Sequence, residues 1–175
     1  MKEKKKKVLA LAAGIALLPP VWAVAAGYIG ITTGAVALIC AGLYTSSGQG
    51  KEGAFRIMMG FLCGDVWAVL ALKTMGILPF HANAALFITL AFFGAAAVMI
   101  SFPFEKWIFL PAWLCGWAIG LTIMDQELLY TKPTLPVQIA VAMIAGVWYV
   151  GVGVDHFCLC LTTQAKQKEE RKEEE

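Results

Sequence analysis

Charge is what this sequence lacks. No Asp, Glu, Lys or Arg occurs from Val8 to Gly50, from Thr74 to Phe104 or from Trp107 to Met124, and only 15% of the 175 residues are charged. A soluble domain carries about 25%. Uncharged runs of this length suit helices that cross a hydrocarbon core about 30 Å thick, which takes about 20 residues. With 59% hydrophobic residues and a mean hydropathy of +0.72, the composition excludes an ordinary soluble domain and points to an integral membrane protein.

Catalytic groups are equally scarce. There are two histidines, His81 and His156, and no HExxH, GxSxG or P-loop, nor paired carboxylates at helical spacing inside an uncharged run. An enzyme is therefore not expected. Of the five cysteines, Cys40, Cys63 and Cys115 fall inside expected spans, where they pack as small apolar residues. Cys158 and Cys160 form a CxC, but without a second pair or paired histidines it predicts no metal site, and no cofactor is expected. The net charge of +2 gives no reason to expect nucleic acid, because the basic residues mark topology.

What is present is apolar helix, punctuated by turns. MKEKKKK followed by VLALAAGIALLPP and AVAAG has the form of a secretory signal, yet the uncharged run continues well past any cleavage point, so it reads as an uncleaved first span. The run from Val8 to Gly50 is long enough for two crossings, with a turn at GYIGITTG, residues 27–34. The expected spans are about 8–28, 30–46, 54–73, 83–101, 107–124 and 137–161. Asn83 is placed to cap the fourth. A basic tail, 1–7, precedes them and a charged tail, 162–175, ends the chain; the latter is a solvated tail by default. With the N-terminus in the cytoplasm, that side holds twelve of the 14 Lys and Arg, and the outer side keeps only Lys73 and Lys132. The positive-inside rule then sets both termini inside a bacterial cytoplasmic membrane.

Short motifs recur. VWAV occurs at 21–24 and 66–69 and VWYV at 147–150, while AVALICAG (35–42) loosely matches AWLCGWAIG (112–120). Cys40 and Cys115 fall in similar places of the two motifs, which makes both candidates for a transport path together with Asp65, Trp67 and Trp148. Three spans per half would make the second half inverted, a plan common in channels and secondary transporters. The expected fold is thus all-α: a polytopic membrane protein of six transmembrane helices with an inverted 3+3 repeat. Three GxxxG pairs, Gly30–Gly34, Gly60–Gly64 and Gly116–Gly120, set small residues on one face for close helix contact. Such pairs report packing rather than function. Pro19–Pro20 is expected to kink or break the first helix, and Pro111 lies in the first turn of the fifth.

Asp65 is the anomaly. It lies eight residues from Lys73, about 12 Å below the outer end of its span, where inserting Asp costs roughly 2.5–3.5 kcal/mol. Such a residue should face the bundle or a wet cavity, as a protonatable coupling site, as a polar contact in a narrow pore, or as a structural hydrogen-bonding group. Trp67 and Trp148, from the recurring motif, are candidates for a constriction, or else for packing. Asp155 and His156, near the inner end of the last span, read as interfacial, as do Lys73, Trp107 and Lys132.

The stretch CAGLYTSSGQGKEGAFRIMMGFLCGDVWAVL, with a Gly-rich helix ending in Tyr44, the loop GQGKEG and a glycine ahead of VWA, resembles the YcdZ-like family of small bacterial inner-membrane proteins. The resemblance implies a cytoplasmic-membrane location and a function not yet assigned. It also implies an apolar residue at the position of Asp65, which makes that carboxylate a specialisation of this chain. The expected activity is that of a small channel or facilitator for a small polar solute, in a homo-oligomer within the lipid bilayer. A proton-coupled carrier using Asp65, or a scaffold recruiting a partner through its C-terminal tail, are the alternatives.

Overall fold

The computed structural model describes residues 2–161 and 163; Met1, residue 162 and residues 164–175, which hold nearly all of the expected charged tail, lie outside the described residues. Among the described residues the chain is entirely helical. In order come α1 (Lys2–Tyr28), α2 (Val36–Ser47), α3 (Gly50–Ile77), α4 (Ala82–Ser101), α5 (Leu110–Ile123), a short α6 (Gln126–Thr131) and α7 (Leu135–Leu161). Helix α7 is α-helical over Leu135–Ala145 and π-helical over Gly146–Val152 before it resumes.

Four of these are long and apolar enough to cross a membrane: Val8–Tyr28 of α1, then α3, α4 and α7. Helices α2 and α5 are apolar but have only 12 and 14 residues. At 1.5 Å per residue they reach about 18 and 21 Å, short of a 30 Å core. The structure thus has four membrane-length helices and two shorter ones.

Several local expectations are corrected. Helix α1 begins at Lys2, so the basic run is helical and continuous with the apolar span. It also runs unbroken through Pro19 and Pro20, which membrane helices tolerate where neighbouring groups, water or local adjustment satisfy the freed carbonyls. Asn83 does not cap α4. The residue at the boundary is His81, whose carbonyl accepts from the amides of Ala84 and Ala85. The loop 125–136 contains α6, capped by Asp125, whose side chain accepts from the Leu128 amide at 2.6 Å. Gly30 and Gly34 lie in the turn between α1 and α2, so their spacing does not set them on one helical face. Gly34 sits against Ala23 and Ala26, and its carbonyl accepts from the Trp22 indole at 3.2 Å.

Packing rests on close backbone approach. Gly60 and Gly64 of α3 and Gly116 and Gly120 of α5 interdigitate. A Cβ at Gly60 would lie 2.5 Å from the Phe109 carbonyl oxygen, and one at Gly116 2.5 Å from that of Phe61. At Gly64 it would overlap Trp113 and Trp117 backbone, and at Gly120 the Ala68 side chain. Contacts advance together along both chains, from Gly60 with Ala112 to Ala68 with Gly120, so α3 and α5 run parallel. Helices α2 and α7 pair in the same way: Gly146 meets Ala37 and Cys40, and Gly151 meets the Tyr44 ring. Helix α4 packs on α3, and α1 packs on the π-helical part of α7. The turn from α2 to α3 is made by Gly48 and Gly50, at φ 64° and 62°, on either side of Gln49. Arg56 closes the same end, donating to Gln49 Oε1 at 3.3 Å and to the Glu105 carbonyl at 2.5 Å.

Overpacking a tight helix contact costs about 1–3 kcal/mol. Gly64→Ala and Gly116→Ala should therefore each lower the thermal midpoint in detergent. Gly42→Ala, which meets nothing within 4 Å, should leave it unchanged or raise it. Equal midpoints for all three would contradict this packing.

Candidate functional site along the α3–α7 seam

Residues 51, 58, 65 and 72 recur every seventh position of α3 and so share one stripe of the helix. The two ends of the stripe, Lys51 and Leu72, each line a cavity. One has about 680 Å³, lies between α3, α6 and α7 and is lined by Leu72, Lys73, Gly76, Gln126, Tyr130 and Pro136 among others. It is called outer, and the other inner, after the side on which the positive-inside rule puts Lys73. The inner one, about 540 Å³, lies between α1, the start of α3 and the end of α7; Leu11, Lys51, Val152, Asp155, His156 and Leu159 line it. On α7 the residues 148, 152, 155 and 159 succeed one another at helical spacing, so Trp148 stands one turn above the inner cavity. Its indole N–H donates to Met58 Sδ at 3.1 Å and so links the two helices across the seam.

Asp65 occupies the middle of this stripe, between Met58 and Leu72. It is 5% exposed, and its Oδ1 has no hydrogen-bond partner. Its neighbours on the stripe are apolar. A carboxylate oxygen buried without a donor costs about 1–3 kcal/mol or more, so nothing in the packing of the fold explains its presence.

Trp67 lies elsewhere. Two residues along α3 from Asp65, it points about 160° away and joins an aromatic cluster between α3, α4 and α5. Its indole donates to the Phe93 carbonyl at 3.0 Å. Its ring meets those of Phe93 and Trp113, each at 5.2 Å and edge-on. No ring contact joins Trp67 to Trp148 among the described residues, so the two recurring tryptophans do not form one constriction. Cys40 is fully buried and Cys115 half-buried against the same core, away from both cavities. Among the described residues no group of His, Cys, Asp and Glu is arranged to hold a metal ion.

Other polar groups of interest escaped the sequence reading. Tyr44, buried, donates to Asp155 Oδ2 at 2.8 Å and ties α2 to α7 beside the inner cavity. Thr89 Oγ1 and the indole N–H groups of Trp113 and Trp117 are buried without partners around the aromatic cluster. Met58 carried a usable signal, its seven-residue distance from Asp65. The tertiary pairing of Tyr44 with Asp155 carried none.

Residues 12–158 match the DUF1097 family, described as a protein of unknown function. The chain belongs to that family. The match covers all seven helices in whole or large part and agrees with the expected resemblance at the level of a family without an assigned activity. No curated protein and no solved structure matches the chain.

Replacing a buried unpartnered carboxylate by an apolar group of similar volume is neutral or stabilising. Asp65→Leu should accordingly melt at or above the wild-type temperature. A fall of several degrees would mean that the carboxylate supports the fold.

Proposed function

We propose that this DUF1097 protein is a small membrane facilitator that passes a small polar solute along the α3–α7 seam. The observation that carries this reading is the line of one α3 stripe from the inner cavity, through Met58 and Asp65, to the outer cavity. Trp148 on Met58 holds the arrangement shut. A π-helical segment stands on the other wall, and such segments occur often at functional sites because they re-aim side chains without ending the helix.

The proposal includes an inverted repeat of three helices, with six passes through the bilayer and both termini on the cytoplasmic side. Its support is a matching set of contacts. Long α3 with short parallel α5 corresponds to long α7 with short parallel α2, and α4 on α3 corresponds to α1 on α7. Gly64 and Gly146 are counterparts in this scheme, each opposite the backbone of its short partner helix. The motif match of 66–69 with 147–150 pairs Asp65 with Gly146 instead, and the one-residue slip falls where α7 is π-helical. A proton-coupled carrier is the second reading, favoured by the unpartnered Asp65 carboxylate.

Flux into proteoliposomes tests this. A panel of small amides, short carboxylates and amines should show at least one solute moving down its own gradient without a proton gradient. Gly76→Phe, which fills the outer cavity, should cut that flux at least tenfold, and Phe87→Ala on an exposed face of α4 should not. Flux that requires a proton gradient supports the carrier, and no flux for any solute removes both readings.

A further inference from the structure

Among the described residues no protein donor meets Asp65 Oδ1, at the centre of the seam. Helices α2, α4, α5 and α7 all pack against α3. No Lys, Arg or His occurs on α2, α4 or α5, between Leu135 and Val154 of α7, or between Arg56 and Lys73 on α3 itself. Neutral donors are committed or turned elsewhere. The Tyr44 hydroxyl donates to Asp155, Thr122 to the Ala118 carbonyl, Ser101 to the Val98 carbonyl and Trp148 to Met58. Of the unpartnered donors, Trp113, Trp117 and Thr89 belong to the aromatic cluster on the Trp67 side of α3, Thr33 lies in the turn between α1 and α2, and Arg56 Nε lies two and a half turns of α3 from Asp65.

We infer that Asp65 is the binding residue for a small protonated amine, of ammonium to methylammonium size, within the seam. This deepens the facilitator reading and rests on it for the route. An N⁺–H donor meets an orphaned carboxylate oxygen with a charge-assisted hydrogen bond, roughly twice as strong as a neutral one. An anion meets the same group as a like charge in a medium of low dielectric and is rejected. A neutral amide has an N–H to offer but no charge to balance the carboxylate. Met58 and the Trp148 ring on it stand about 10 Å along the helix from Asp65 and line the route on that side rather than the binding position. The lysines at the two mouths do not reverse this selection. Lys51 and Lys73 are exposed, with their charges in solvent, and Asp65 lies about 21 and 12 Å from them along the helix, far beyond direct contact.

Binding is measured on the full chain in detergent by titration calorimetry with methylammonium, acetate and acetamide at equal ionic strength. Flux of the same three is measured in proteoliposomes. Wild type should bind methylammonium at least tenfold more tightly than acetamide and should show no heat with acetate. Asp65→Asn should lose at least tenfold in methylammonium affinity, and Asp65→Glu should recover part of it. Tighter binding of acetate or acetamide than of methylammonium by the wild type overturns the inference without any variant. Unchanged methylammonium affinity in Asp65→Asn overturns it as well. Methylammonium binding without flux upholds the ligand class and removes the facilitator reading. Flux of acetamide with no methylammonium binding does the reverse.

Discussion

In a lipid environment side chains gain nothing by leaving the solvent for one another, since acyl chains are as apolar as leucine. Helices hold together chiefly where their backbones come close enough for dense van der Waals contact, with interhelical hydrogen bonds in support. In this protein that happens where Gly60 and Gly64 meet Gly116 and Gly120. The rest of the bundle depends on that pairing. With α5 laid along one side of α3, the stripe bearing Asp65 is turned toward α7, and Trp67 is turned toward α4. The same solution recurs where Gly146 and Gly151 admit α2 against α7, so the two walls of the seam are each backed by a short helix.

The buried polar groups divide by what the fold does with them. Tyr44 and Asp155 satisfy each other, and Arg56 is anchored to the turn before α3 and to the α4–α5 link. Those contacts hold elements in place. Asp65 holds nothing, and a chain that tolerates a carboxylate there bears its cost without structural return. Stability is commonly given up at sites where a ligand supplies what the protein withholds.

Much of the scaffold was legible in the sequence, for reasons particular to membranes. Absence of charge marks long helices directly, and the glycine pairs at 60–64 and 116–120 gave the close contact because spacing alone fixes which residues share a helical face. The same spacing misled at Gly30–Gly34, where the chain is a turn; a GxxxG pattern carries its meaning only if the backbone is helical. Pro19 and Pro20 do not break α1, since a helix that cannot exchange its hydrogen bonds for water survives the loss of two. Asp65 stood out as a lone charge in an apolar run. Its isolation from donors, the link from Trp148 to Met58 and the two cavities are products of how α3 and α7 face each other, and no local pattern encodes them. The π-helical stretch of α7 is likewise invisible in a sequence that reads as ordinary apolar helix.

The brevity of α2 and α5 has an electrical side. Low-dielectric material is what a transmembrane voltage falls across, and helices of about 18 and 21 Å leave part of the membrane's depth on their side of the bundle to turns and cavities. In a bilayer the voltage drop would be compressed into the remaining slab, the part of the bundle that holds Asp65. The whole drop is worth about 2.3 kcal/mol per elementary charge at 100 mV. A cation resting at that carboxylate would feel a steeper field than the bilayer's thickness alone would give, and the resting potential of the cell would bias its occupancy from the outer mouth.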